Sequence, residues 1–328
     1  MTWLADALAR VPEGDRTAGD AVRARAAEIL RPAGALARFD DVAAWVAEWQ
    51  GSSSPAVRKP AALIFAADHG VAVAGVSKYP VDVTAAMLAA YRAGKSTVSA
   101  FAAVAGATVD AIDVGVGRAT GDIRFEPAMS LERFEEACTA GRQAVERLDA
   151  DILVLGEMGI GNTTAAAAVA AALAGGEVAS WVGRGTGVDD EGLNRKQQAV
   201  QQAVDRVAGV VDPLEVLREL GGAELAAIAA AIVAARSRRL PVLIDGYVVT
   251  ASALPLALAR SGALDHCLAG HCSSEPGHRR LLERLGKAPL LDLDMRLGEG
   301  SGAMAAAPLV AMACAGITDV PTFGEWFG

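Results

Sequence analysis

From Ala61 to Leu293 the chain alternates short, nearly continuous apolar runs with longer stretches whose apolar residues recur at helical spacing. The runs Ala61–Ala67, Thr108–Val114, Asp151–Leu155, Pro241–Ile244, Asp265–Ala269 and Pro289–Leu293 have the length and composition of buried strands. Between them the pattern predicts helices near Val83–Val104, Leu131–Leu148, Thr164–Leu173, Arg195–Val211, Ala223–Arg236, Ser252–Arg260 and Gly277–Leu285. Repeated β-then-α order predicts the α/β class, with a mostly parallel sheet covered by helices on both faces. Ligands bind such sheets at the carboxyl ends of the strands, where turns 156–164, 245–247, 270–275 and 298–302 fall. Residues 1–50 are helical in pattern, and Gly51-Ser-Ser-Ser-Pro55 reads as a linker. The expected organisation is N-terminal helices over 1–52, an α/β domain over 53–299 and a C-terminal helix over 300–328. The two terminal parts are expected to pack together as a small helical lobe.

Composition then narrows the partners. The 328 residues are 52% hydrophobic but only 5% aromatic, so small aliphatic side chains dominate and aromatic platforms for stacking bases are scarce. A net charge of −9 offers no broad basic surface to a polyanion, so nucleic acid is not an expected partner. Membrane contact is not expected either. Leu225–Ala235 is too short for a span, and Gly302–Ile317 is mostly alanine and contains Pro308. Asp6 lies early and no basic stretch leads an apolar one, which argues against a signal peptide. Cys138, Cys267, Cys272 and Cys314 form no disulfide-scaffold pattern, so reduced thiols and a cytoplasmic location are expected.

Candidate chemistry sits in the turns. Gly156-Glu-Met-Gly-Ile-Gly-Asn-Thr-Thr164 follows Ile152–Leu155 and opens an alanine-rich helix, so its glycines bring backbone N–H groups and a helix N-terminus to a ligand beside Glu157. Gly298-Glu-Gly-Ser-Gly302 repeats the arrangement around Glu299. Gly183-Arg-Gly-Thr-Gly187, followed by a helix carrying Lys196, adds donors and a cation suited to one phosphate. Asp68-His69-Gly70-Val71 ends the first strand at the same edge. Two other patterns fail on context. Ala89-Ala-Tyr-Arg-Ala-Gly-Lys-Ser-Thr97 lacks the first glycine and the preceding strand of a P-loop, and Gly115-Val-Gly117 lacks the third glycine of a dinucleotide fingerprint. His266, Cys267, His271, Cys272 and His278 crowd together but without Cys-x-x-Cys spacing, so buried thiols and hydrogen-bonded imidazoles are expected rather than a metal site.

Taken together, these segments resemble the nicotinate-nucleotide–dimethylbenzimidazole phosphoribosyltransferases, which make the lower-ligand nucleotide of cobalamin. The resemblance rests on Asp68-His-Gly-Val, Gly75-Val-Ser-Lys-Tyr-Pro80, Gly156 to Thr164, Gly183 to Gly187, Asp245-Gly246, His271-Cys-Ser-Ser-Glu-Pro-Gly-His278 and Arg296-Leu-Gly-Glu-Gly-Ser-Gly-Ala303. They run in family order from about residue 60 onward. The resemblance implies a Rossmann-like sheet with a small helical lobe, a homodimer, and no cofactor or metal. Its implied substrates are nicotinate mononucleotide and a benzimidazole-type base. Glu299 would be the catalytic base and Glu157 a second active-site carboxylate. Gly159, Gly161, Asn162, Thr163, Gly185, Lys196 and Ser273 would hold the phosphate and ribose, with Asp245 near the ribose. Lys78, Tyr79, Ala86, Met158 and Leu297 would shape the base pocket. Two positions depart from the family pattern: Ala86 stands where glutamine is usual, and Lys78 where a small residue is usual.

These residue types suit that chemistry. Nicotinate leaves a pyridinium glycoside with its electron pair, so it needs no general acid. An attacking benzimidazole must lose its other N–H, and one carboxylate within reach supplies about 10²–10⁴-fold. A second carboxylate can stabilise an oxocarbenium-like ribose. Attack from the opposite face inverts C1′. Two other readings compete. A diphosphate-activated phosphoribosyltransferase needs a Thr-Gly phosphate loop after paired acids, which Asp189-Asp190 lacks. A non-catalytic nucleotide-binding module would use both glutamates as turn residues only.

Overall fold

The computed structural model describes residues 2–328. Three helices, α1 (Trp3–Leu8), α2 (Arg16–Glu28) and α3 (Arg38–Gln50), precede the first strand. There follow β1 (Pro60–Ala67), a 3-10 turn over Gly70–Ala74, α4 (Val83–Arg92), α5 (Thr97–Ala105), β2 (Thr108–Gly115), α6 (Leu131–Glu146) and β3 (Ile152–Met158). Next come α7 (Asn162–Ala174), α8 (Asp190–Arg206), α9 (Pro213–Leu220), α10 (Ala223–Ser237), β4 (Val242–Ile244) and α11 (Tyr247–Ala259). The chain finishes with β5 (Cys267–Ala269), β6 (His271–Cys272), α12 (Pro276–Arg284), β7 (Leu291–Asp292), α13 (Ser301–Thr318) and α14 (Phe323–Phe327).

Five parallel strands in the order β2-β1-β3-β4-β5 make the sheet. The chain reverses its direction of travel between β1 and β3. A crevice opens at such a switch point beyond the strand ends. The period-two alternation of the strands divides the core in two. Leu63, Phe65, Leu153 and Leu155 point to the face covered by α6, α7 and α10, while Ala62, Ile64, Ile152 and Val154 point to α3, α5 and α13. All eight residues of β1 are buried, and each of Leu63, Ile64 and Phe65 contributes roughly 1.5–3 kcal/mol of burial free energy. Helix α10 is buried along nearly its whole surface, which explains its alanine-rich, all-round apolar sequence. Helix α13 has the length and apolarity of a membrane span; here it lies in the core against α3, α5 and β3.

Several boundaries differ from the sequence pattern, each for a local reason. The helix expected over Val83–Val104 is two helices, because Gly94 takes φ 66° and Ser96 Oγ caps the new helix at the Ser99 N–H, 3.3 Å away. The apolar run Pro289–Leu293 yields only β7, which pairs with β6 outside the main sheet. Helix α9 went unread, although Asp212 caps it and Pro213 occupies its first turn. The helix after Asp245 begins at Tyr247, five residues before its expected start, and carries Pro255 inside it. At the N-terminus, α2 packs on α3 and α3 on α13, whereas α1 packs on α6 and α10 across the sheet.

Candidate active site

Two carboxylates meet beyond the end of β3. Glu157 is the penultimate residue of that strand, and Glu299 lies in the turn before α13. A Cβ on Gly156 would sit 2.4 Å from the Glu299 carbonyl oxygen, so glycine alone lets the turn rest on the strand. A Cβ on Gly298 would sit 2.5 Å from Glu157 Oε1. Three successive residues, Gly298, Glu299 and Gly300, have positive φ (83°, 66° and 82°). For a glutamate this conformation costs on the order of 1 kcal/mol. Asp245, at the end of β4, holds the turn in place. Its carboxylate accepts the Gly300 N–H at 3.2 Å and the Ala303 N–H at 2.8 Å.

Burial sets the electrostatics of the pair. It pushes Glu157 up to about 8, helped by the negative charges of Glu224, Asp245 and Glu299 and opposed by the Asn162 amide, which donates to Glu157 Oε2. Glu299 is 5% exposed and its Oε2 has no partner. Burial raises its pKa, against a pull from the Tyr91 hydroxyl and from the Val98 N–H at the start of α5. Burial raises Tyr91 strongly, with Glu299 and Glu157 adding to it, so it stays a neutral phenol.

The other end of the cleft is built for an anion. In the 159–164 turn the Asn162 and Thr164 N–H groups bond back to Gly159 and Gly161, and the Ile160 N–H donates to Thr84 Oγ1. The Gly159 and Thr163 N–H groups, on residues that line the cleft, are left without a protein acceptor at the N-terminus of α7. Lys196 reaches the same point from α8. Its Nζ donates to Thr163 Oγ1 and to the Gly183 carbonyl, both at 3.0 Å, leaving a third donor. Burial lowers Lys196 to about 8, with Glu275 pulling upward. Gly185, at φ 51°, admits both groups; a Cβ there would lie 3.0 Å from Lys196 Nζ and from Thr163 Oγ1. Glu275 fixes this loop by accepting the Gly185 N–H at 3.0 Å. Ser273 is held by His278, whose Nδ1 accepts the Ser273 N–H at 2.8 Å while Nε2 lies 2.9 Å from Thr250 Oγ1. Burial lowers His278 to about 3, so its ring is neutral and donates from Nε2 to Thr250.

One cleft beyond the ends of β3 and β4 is lined by Glu157, Met158, Gly159, Asn162, Thr163, Gly185, Ser273 and Leu297 among the residues expected from sequence. Lys196 and Glu299 are buried at its margins, and Gly161, at φ 96°, turns the chain into α7. Asp245 is also buried; both its oxygens serve the turn that carries Glu299, so its place is beneath the cleft rather than along it. Ala86 lies exposed on α4. Lys78 and Tyr79 are exposed on a segment docked to the anion loop through the Lys78 N–H and Thr186 Oγ1, 3.0 Å apart. Sequence reasoning passed over Tyr91, Thr84 and Thr186, which lie in ordinary helical or loop contexts, and gave Glu275 no role although it stands just before Pro276 at a helix start. Among the described residues, no group of three or more His, Cys, Asp or Glu side chains is arranged to hold a metal ion. Within the His/Cys cluster His266 bonds the Ile232 carbonyl at 2.9 Å and the His271 and His278 rings meet edge to face with centroids 5.9 Å apart, while all four cysteines of the chain are buried and free.

Known proteins with the same sequence features carry a consistent name. A phosphoribosyltransferase family model matches residues 11–326. A nicotinate-nucleotide–dimethylbenzimidazole phosphoribosyltransferase of Cereibacter sphaeroides is 47% identical over 316 residues, covering 96% of this chain and 93% of its own length. The enzyme of the same name from Methylorubrum extorquens is also 47% identical, over 96% of this chain and 92% of its own. The crystal structure of CobT from Thermus thermophilus superposes with a TM-score of 0.91 at 42% identity, covering 95% of this chain and 98% of that one.

Proposed function

The chain belongs to the nicotinate-nucleotide–dimethylbenzimidazole phosphoribosyltransferase family, and on that premise we propose that it transfers the 5-phosphoribosyl group of nicotinate mononucleotide to 5,6-dimethylbenzimidazole or a related base. The products are nicotinate and α-ribazole 5′-phosphate. The observation that carries this reading is that half-buried Glu157 and buried Glu299 are brought together at a cleft whose far end offers Lys196 and free N–H groups.

The substrate's phosphate binds at the Thr163–Lys196 end, where the lysine's spare N–H and the Gly159 and Thr163 N–H groups meet it. That anchor places C1′ toward the carboxylates. Glu157 stands by the ribose, and the arriving pyridinium charge favours its ionised form despite the upward pull of burial. The base enters between Met158 and Leu297, with its N–H toward Glu299. Because burial raises Glu299, it is a stronger base than an ordinary carboxylate. Nicotinate leaves with its electron pair as the benzimidazole nitrogen attacks, Glu299 takes the proton, and the configuration at C1′ inverts. Anchoring both rings across C1′ supplies the positional part of the acceleration. The working form proposed is a homodimer.

A binding module without chemistry would need neither the positive φ of Glu299 nor its unpaired buried oxygen. Incubation with nicotinate mononucleotide and dimethylbenzimidazole, with chromatography for nicotinate and the α-ribotide, tests the proposal. Binding of both compounds without release of nicotinate contradicts it.

A further inference from the structure

Behind the Gly159 turn lies a pair of ionisable side chains that the transfer mechanism does not use. His69 follows β1 and Glu224 sits in the first turn of α10; both are buried, and His69 Nε2 lies 2.5 Å from Glu224 Oε1. Their second polar atoms, His69 Nδ1 and Glu224 Oε2, have no partner. The turn rests directly on them. A Cβ on Gly159 would meet Glu224 Oε1 and His69 Cδ2 at 3.1 Å, and one on Gly222 would meet His69 Cε1 at 2.3 Å. Two glycines thus clear the space that this pair fills.

We propose that His69 and Glu224 are positioning residues for the reaction: His69 fixes the Glu224 carboxylate under the Gly159 turn, as a third negative charge behind Glu157. The inference rests on the transferase reading above. The groups facing Glu157 are Glu224 from α10, Asp245 from the end of β4, Glu299 from the turn before α13 and Tyr91 from α4, with the Asn162 amide as hydrogen-bond donor. Glu224 has the largest effect of these charges on Glu157. Its position therefore adds to the effect of burial in setting when Glu157 becomes the anion that a cationic ribose requires.

The test is a ¹³C-carboxyl NMR titration of the ligand-free protein, with pH profiles of kcat/KM for the same variants. In Glu224→Gln the Glu157 inflection moves down by about 1 pH unit, and the acid limb of kcat/KM moves with it. Glu224→Asp, which keeps the charge, retains the wild-type inflection. A Glu157 inflection unchanged in Glu224→Gln overturns the proposal, even if activity falls, because the pair would then be packing alone. If Glu224→Gln does not fold, the wild-type titration decides. The Glu157 signal then inflects above the ordinary carboxylate range, and an inflection within that range overturns the proposal. The titration needs no substrate. Coupled carboxylates in a protein that releases no nicotinate would refute the transferase reading and leave the pair's coupling standing.

Discussion

Replacing Gly156 by alanine tests how the two glutamates are brought together. The added Cβ would meet Glu299 O at 2.4 Å, Glu299 C at 2.5 Å and Gly300 N at 2.6 Å. All three are backbone atoms, so no side-chain rotation relieves the contact. Ordinary contact begins at 3.4 Å, so the 298–300 turn must retreat from β3 by about 1 Å. The hydrogen bonds that the Gly300 and Ala303 N–H groups donate to Asp245 resist that movement, and overpacking of this kind costs about 1–3 kcal/mol of stability. A catalytic group misplaced by about 1 Å loses about 10²-fold in rate. The phosphate end is untouched, since Thr163, Lys196 and Gly185 lie on α7, α8 and the 183–187 loop. The expected result is a fall in kcat of about 10²-fold with the Kd for nicotinate mononucleotide little changed, read by steady-state kinetics and titration calorimetry. A folded variant with wild-type kcat would refute the claim that this contact sets the position of Glu299.

Other consequences follow from the same geometry. Lys196→Ala should weaken nicotinate mononucleotide by about 1.5–3 kcal/mol and leave the free base nearly unaffected; equal weakening of both in calorimetry would make the lysine structural. His266 and His278 are both held neutral by burial, each lowered to about 3. Below the unfolded-state value near 6.5 the unfolded chain binds more protons, so stability should fall by about 1.4 kcal/mol per pH unit for each histidine between about pH 6 and 3. Denaturant melts across that range check this, and a flat profile contradicts it. With Met158 and Leu297 as apolar walls around the base, unsubstituted benzimidazole should be used within about tenfold of dimethylbenzimidazole in kcat/KM. Competition with mixed bases measures it; a preference beyond about a hundredfold would assign the selectivity to other residues.

What could be read in advance depended on whether the signal was local. The apolar runs at β1 and β3 and the glycine turns at 156–164 and 298–302 announce themselves, because burial and turn geometry are written in adjacent residues. The close approach of those two turns was not legible. It depends on Gly156 meeting a backbone 143 residues away. The family resemblance places Asp245 near the ribose, and nothing adjacent in sequence indicates that its carboxylate accepts the Gly300 and Ala303 N–H groups. Glu224 sits in the first turn of α10, and nothing nearby in sequence points to His69 as its partner. The break between α4 and α5 was locally available in Gly94-Lys95-Ser96, but the apolar spacing runs through it.

The central claim is that Glu299 takes the proton from the attacking base. Single-turnover kinetics of Glu299→Gln, with nicotinate mononucleotide and dimethylbenzimidazole both saturating, tests it most directly. The amide keeps the shape of the side chain but cannot accept that proton as a carboxylate does. The account predicts near-normal binding of both substrates and a rate of nicotinate release reduced by about 10²-fold or more. Release at the wild-type rate would remove Glu299 from the chemistry and contradict the account.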